Sequence, residues 1–186
     1  MKSSLRIGND NQRNVDEFPD LHETFRQKNQ LFLNEGGRFR DVSATSGGGL
    51  QVRKSSRGLA VGDLDGDGDL DLVVTNMDDV PTLLENRQRT GNHWVAFRLE
   101  KQGANRFAVG ARVTLDAGGR RQLREVRSGG GYLSQNDLRP HFGLGSYGGP
   151  LDVEVRMPGG ARWRWRGLRS DQLHALILKD EDRIEK

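Results

Sequence analysis

The chain has 186 residues, 33% hydrophobic and 30% charged, with 25 glycines and no cysteine. That length allows one or two domains with a real core; the glycine-rich, apolar-poor balance favours strands and turns, and the missing cysteines exclude a disulfide framework, a thiolate metal site and a cysteine nucleophile. The net charge of +3 conceals a split, because residues 1–90 carry 12 Lys+Arg against 15 Asp+Glu (net −3) and residues 91–186 carry 17 against 11 (net +6). No apolar run approaches the roughly 18 residues of a membrane span. The start, MKSSLRIGND, lacks the apolar segment of a signal peptide, so export would need a signal on a longer precursor.

Residues 1–28 read as a polar loop or linker. Phe18, Leu21 and Phe25 follow the spacing of a helical turn after Pro19, which predicts a short helix over 20–27. Residues 29–90 hold about five strand candidates: QLFLN, RFRDVS, GLAVG, LDLVVTN and TLLEN.

Between the third and fourth of these lies DLDGDGDLD, from Asp63 to Asp71, with an aspartate at every other position. Carboxylates held this close repel one another unless a cation neutralises them. A hard divalent cation such as Ca²⁺ needs six to eight oxygens, more than one carboxylate supplies. With Asp63 at loop position 1, Asp65 and Asp67 fall at 3 and 5, Gly68 at 6 allows the sharp turn, Asp69 at 7 offers its backbone carbonyl, and Asp71 closes at 9. An EF-hand would need flanking helices and a Glu at position 12. That position is Val74, and the flanks, GLAVG and LVVTN, read as buried strands.

The strand, loop and strand resemble the FG-GAP or VCBS repeat, a β-propeller blade whose calcium site has the form D-x-D/N-x-D-G-x-x-D. Asp63, Asp65, Asp67, Gly68 and Asp71 match it position for position, and NQLFLNEGGRFRDVSATSG, residues 29–47, resembles the hairpin that precedes it. The resemblance implies about one blade. A propeller needs four or more of roughly 40–45 residues each, so the chain reads as the terminal part of a larger protein.

From Gly91 the pattern becomes longer alternating strands: HWVAFRLE, with Val95, Phe97 and Leu99 on one face, then ARVTLDAGG, RQLREVRSG, LDVEVRMPGG, ARWRWRGL and QLHALILKD. Period-two alternation predicts a half-buried antiparallel sheet or sandwich, with Pro158, Gly159 and Gly160 turning one strand into the next. Residues 91–180 resemble the ASPIC/UnbV domain that follows FG-GAP or VCBS propellers in secreted proteins. The carrying motifs are GNHWVAFRL, NRFAVGARVTL, REVRSGGGYLSQND, HFGLG and VEVRMPGG. One departure is Met157, where the family often has Trp. Residues 181–186 form a charged tail. The expected fold is all-β: one partial β-propeller blade with a calcium loop, plus a C-terminal antiparallel β-sandwich.

Nothing in the chain spells a reaction. There is no HExxH helix, GxSxG elbow or P-loop, and His22, His93, His141 and His174 have no ligand spacing. Ser134, His141 and Asp152 could be written as a triad, or Glu125 and Glu154 as a glycosidase pair, but no spacing places either set together. The strand RWRWR puts Trp163 and Trp165 on one face and Arg162, Arg164 and Arg166 on the other. Those arginines read as a solvated edge or as a stripe for sulfated or phosphorylated glycans.

The expected function is a non-catalytic, calcium-binding extracellular interaction or adhesion module, secreted, at the cell surface or periplasmic. The alternative is the accessory tail of an exported enzyme. Expected partners are an extracellular protein or an anionic glycan, with no nucleic acid and no membrane span, and with self-association through exposed blade surface.

Overall fold

The computed structural model describes residues 25–88 and 90–184. In chain order the strands are β1 (Gln27–Lys28), β2 (Phe32–Glu35), β3 (Arg38–Asp41), β4 (Arg53–Lys54), β5 (Ser56–Gly62), β6 (Asp71–Asn76), β7 (Asp79–Leu84), β8 (His93–Glu100), β9 (Arg112–Ala117), β10 (Arg120–Glu125), β11 (His141–Gly145), β12 (Leu151–Arg156), β13 (Arg162–Leu168) and β14 (Gln172–Ile177). The remaining elements are short 3₁₀ turns at Gly48–Gln51 and Asp180–Asp182. The all-β expectation holds. The helix expected over 20–27 lies mostly outside the described residues; Phe25, the first of them, is helical, and by Gln27 the chain has turned to strand, pairing with Lys54.

The chain divides into two compact units, Met1–Gly58 with Val74–Leu84, and Leu59–Val73 with Glu85–Lys186. In the first, β2 and β3 form the expected hairpin, with Glu35 opposite Arg38. Gly36 and Gly37 both have positive φ (64° and 93°), the requirement of the two-residue turn whose twist matches its strands. Among its described residues, Leu50 and Val74 are the buried hydrophobics, whereas Phe32, Leu33, Phe39 and Val80 are 49%, 48%, 70% and 69% exposed. Among the described residues, the apolar faces of these short strands meet no core of their own.

The second unit contains two sheets, one in the order β10–β9–β12–β13 and one in the order β11–β8–β14. Alternation along β9 and β12 buries Val113, Leu115, Ala117, Leu151, Val153 and Val155, which meet Val95, Phe97 and Leu99 of β8, Phe142 and Leu144 of β11, and Trp163 of β13 in one core. Trp163 is fully buried, with its indole N–H donating to the Lys179 carbonyl at 2.6 Å. Trp165 and Met157 pack half-buried against the same core. The Pro158–Gly160 turn joins β12 to β13, the Gly160 N–H donating to the Met157 carbonyl at 2.9 Å.

One pairing departs from the antiparallel expectation: β14 runs parallel to β8, with Gln172 opposite Val95 and Leu176 opposite Leu99. The chain reaches β14 from β13, which belongs to the other sheet, so no hairpin joins β14 to its neighbour and direction is unconstrained by a tight turn. Asp171 pins the start of this strand. Its N–H donates to the Trp94 carbonyl at 2.7 Å, and its carboxylate accepts the Trp94 N–H at 3.2 Å and meets His93 Nδ1 at 2.6 Å. Burial pushes the Asp171 carboxyl up, but the hydrogen bonds from His93, Trp94 and Ser170 outweigh it and leave its pKa below the ordinary value.

A carboxyl depressed in the folded state contributes stability that is present above its unfolded pKa and lost as pH falls through the folded one. Asp171→Asn keeps the left-handed backbone (φ 57°) that Asn tolerates. It is therefore expected to cost about 1 kcal/mol at pH 7, the low side for a charged hydrogen-bonding group because the side chain is 46% exposed, and less at pH 2 as the carboxyl takes up its proton. Thermal melts of both proteins at the two pH values check this; an equal loss at each would deny the carboxylate its role.

Candidate metal centre

The loop after Gly62, the last residue of β5, returns to the sheet at Asp71, the first residue of β6, so a strand pair fixes both its ends. Within it one oxygen each from Asp63, Asp65 and Asp71 lies within 4.8 Å of the others. A cation with metal–oxygen distances of roughly 2.3–2.6 Å spans such a set. Asp71 is 3% exposed, and its two oxygens accept the N–H groups of Leu64 (3.1 Å) and Asn86 (2.8 Å). Asp63 accepts from Gly66 (2.7 Å) and Gly68 (3.2 Å), and Asp65 from Asp67 (3.2 Å). Backbone amides thus orient the three carboxylates, and no lysine or arginine side chain is paired with any of them among the described residues.

Asp67 and Asp69 stand outside this trio. Asp67 turns back to accept the Asp69 N–H at 2.9 Å. Burial first, then the neighbouring charge of Asp67, push the Asp69 carboxyl above its ordinary value, with Asp71 and Asp63 adding and His141 opposing. The donor set is all oxygen and anionic, the chemistry of a hard cation, and it fits Ca²⁺ better than a transition metal.

Several residues that the spacing pattern does not reveal hold the loop in place. Trp94 of β8 and His141 of β11 stack, with ring centroids 5.7 Å apart and planes 9° from parallel. His141 Nε2–H donates to the Gly68 carbonyl at 2.7 Å, and Gly68 lies so close to the indole that a Cβ there would sit 1.9 Å from Trp94 Cε2. The Arg139 guanidinium donates to the Asp63 carbonyl at 2.9 Å while ion-paired with Asp137. The Asp137 N–H in turn donates to Val61 of β5, whose own N–H donates to Asn136 Oδ1. This gives the glycine-rich segment 129–137 a place: it lies along β5 at the root of the loop, with Gly131 in close approach to the Leu59 carbonyl. His141 and Asp137 sit in stretches that the sequence marks only as motifs, and Trp94 reads there as one position of an alternating strand.

The other candidates are engaged elsewhere. His141 is committed to Gly68, Asp152 accepts the Gly167 N–H at 3.1 Å, and the Ser134 hydroxyl is buried near Gly131 without a partner, so these three form no triad. Glu125 pairs with Arg127 and Glu154 with Arg164. Of the arginine stripe, Arg164 is therefore ion-paired at 2.6 Å, and Arg166 shares a cleft with Asp116, Asp152 and Glu154. Arg162 stands half-buried at the start of β13.

Comparison with known proteins matches residues 101–183 to the ASPIC and UnbV family, residues 14–74 to the FG-GAP-like repeat and residues 56–95 to the FG-GAP repeat. Cartilage acidic protein 1 of Homo sapiens is 30% identical over 148 residues, covering 75% of this chain and 22% of that protein. The Mus musculus protein is 29% identical over 149 residues with the same coverage, and the Xenopus tropicalis one 36% over 110 residues, 55% of this chain and 16% of that protein. The chain thus spans about a fifth of the length of the curated relatives it matches.

Proposed function

We propose, for a chain that carries FG-GAP repeat sequence followed by an ASPIC and UnbV domain, that it is a non-catalytic, calcium-binding extracellular interaction module. The observation that carries the reading is the convergence of Asp63, Asp65 and Asp71 within 4.8 Å on a loop seated against Trp94 and His141. Bound Ca²⁺ would be held by those three carboxylates, with Asp67 and the Asp69 carbonyl available to complete the oxygen shell, and would supply charge neutralisation rather than a reaction. The residues themselves orient the carboxylates through backbone amides and tie the loop to β8 and β11. The similarity to cartilage acidic protein 1, named for an extracellular tissue, supports the extracellular part.

Calorimetric titration of the chelator-treated chain tests this. One calcium site is expected, with weaker heat from magnesium, which is smaller and sheds water reluctantly. No calcium binding at millimolar concentration would remove the reading.

Self-association belongs to the same proposal. Phe32, Leu33, Phe39 and Val80 present apolar surface of the kind that marks interaction sites. The chain is expected to grow in mass with concentration in light scattering and to bind a hydrophobic dye. A dye-free monomer over a wide concentration range would deny that this surface pairs.

A further inference from the structure

The register of the four-stranded sheet sorts its outward side chains into rows that run across the strands. In one row Arg121 stands opposite Asp116 and Asp116 opposite Asp152, with Arg166 beside the two carboxylates in one cleft, and in the next stand Thr114, Glu154 and Arg164, where the last two form an ion pair at 2.6 Å. Opposite charges balance there. The third row is different: Arg112 stands directly opposite Arg156, and Arg156 directly opposite Arg162. Like charges facing each other across strands destabilise a sheet. Among the described residues no carboxylate or carbonyl accepts a bond from any of these three side chains, and the Arg162 Nε–H is buried with no partner, which is costly for a charged donor. Glu125, the remaining member of the row, lies opposite Arg112 but is ion-paired with Arg127 at 3.7 Å. Between Arg112, Arg156 and Glu125, and walled by Gly110, Met157 and Pro158, is a cleft of ≈ 320 Å³, within the size of ligand sites.

A sheet that places three guanidiniums side by side, with no acceptor for them among the described residues, is suited to an anion that supplies acceptors. Guanidinium forks match the paired oxygens of sulfate and phosphate groups. At the backbone the row spans two inter-strand spacings, roughly 9–10 Å, which leaves room for more than one anionic group, as on a linear polymer. Glu125 at the edge of the cleft would repel a bare anion but accepts hydroxyl hydrogen bonds. We propose that Arg112, Arg156 and Arg162 form a binding site for the sulfate groups of a polysaccharide, with Glu125 taking a sugar hydroxyl. The proposal rests on the extracellular reading above and refines its anionic-glycan partner, moving the site from a stripe along β13 to a row across β9, β12 and β13.

The test measures binding of the full chain to heparin by calorimetry, in calcium and again in a chelator, so that its outcome does not depend on the metal site. The triple variant Arg112→Gln, Arg156→Gln, Arg162→Gln is expected to lose at least about 10-fold in affinity, as removal of charge-assisted bonds predicts. A control with the same charge change on the same sheet, Arg120→Gln, Arg121→Gln, Arg164→Gln, should stay within about 3-fold. Equal losses in both, or none in the first, would overturn the site. Because relief of like-charge repulsion favours the folded chain, Arg156→Gln alone should raise the ligand-free Tm while weakening heparin; weaker binding with a lowered Tm would assign the effect to misfolding and overturn it too. Inorganic sulfate at the same sulfate concentration, and a short DNA duplex, should each bind at least about 10-fold more weakly than heparin. Parity with sulfate would make this a simple ion site, and parity with DNA a general polyanion surface, either of which ends the polysaccharide assignment.

Discussion

Asp65→Asn is expected to weaken calcium binding by at least about 100-fold, beyond the roughly 10–100-fold that loss of an outer-shell partner costs a metal site, while leaving the calcium-free protein as stable as before. The separation of effects follows from position. Asp65 is exposed and accepts a single long backbone bond from Asp67 at 3.2 Å, so its carboxylate does little for the empty loop. Asp71→Asn should lose calcium as completely but also destabilise the calcium-free fold, because a buried carboxylate that accepts from both Leu64 and Asn86 is replaced by a group with one acceptor oxygen and a misplaced donor. Asp69→Asn should keep affinity within a few-fold and leave the calcium-free loop slightly more stable, since its carboxyl is already pushed up by burial and by Asp67. With the native chain at calcium 100 times Kd, binding to the folded form alone adds about 2.7 kcal/mol, a rise in Tm of roughly 5–10 °C for a domain of this size. At the same calcium concentration Asp65→Asn, with its Kd raised at least about 100-fold, should gain no more than about 0.4 kcal/mol and only about 1 °C. If Asp69→Asn proved as damaging as Asp65→Asn, the carboxylates of Asp63, Asp65 and Asp71 would not be the ligand set.

What could be read from the chain and what could not divides by range. The aspartate spacing of 63–71 is legible because a cation loop draws its ligands from consecutive positions, and the alternation in β8, β9, β12 and β13 is legible because one face of each strand is buried: Val95, Phe97 and Leu99, or Trp163. The resemblance to known families adds the pairing of the two parts. The seat of the loop is illegible, because Gly68 and His141 are 73 positions apart and nothing local marks either as the other's partner. The rows of charge are equally hidden. That Arg164 is neutralised while Arg112, Arg156 and Arg162 are not depends on which residues stand opposite one another, and a one-residue slip would change every pair. The parallel pairing of β14 depends on a crossing between sheets that follows no turn signal. The exposed Phe32, Leu33 and Phe39 carry the composition of a strand with a core to join, and only the fold reveals that the described part of that unit supplies none.

Gly68→Ala is expected to damage the second unit as severely as any single methyl could. Gly68 has φ 93°, a conformation that side-chain-bearing residues rarely adopt, and its added Cβ would lie 1.9 Å from Trp94 Cε2 and 2.0 Å from Nε1. The indole cannot turn aside freely, since it is stacked on His141, and the His141 ring is itself bonded to the Gly68 carbonyl. The loop must therefore lift, losing that hydrogen bond and misplacing Asp63, which accepts the Gly68 N–H. Gly66→Ala is the matched control. It also has positive φ (82°), but nothing lies within 4 Å of its Cβ position, so it should pay only the backbone cost of roughly 1–2 kcal/mol. The difference between the two variants isolates the contact with Trp94, and a total for Gly68→Ala of about 4 kcal/mol would place it among the exceptional single substitutions. A smaller ring should give the methyl room, so Trp94→Phe is expected to be less harmful in the Gly68→Ala background than alone, a coupling that a double-mutant cycle on denaturant melts measures directly. Equal stabilities for Gly66→Ala and Gly68→Ala, or additive effects of Gly68→Ala and Trp94→Phe, would mean that the loop does not rest on the indole. Calcium affinity should follow the same order, because a carboxylate trio gathered by backbone amides is only as well placed as the backbone that gathers it.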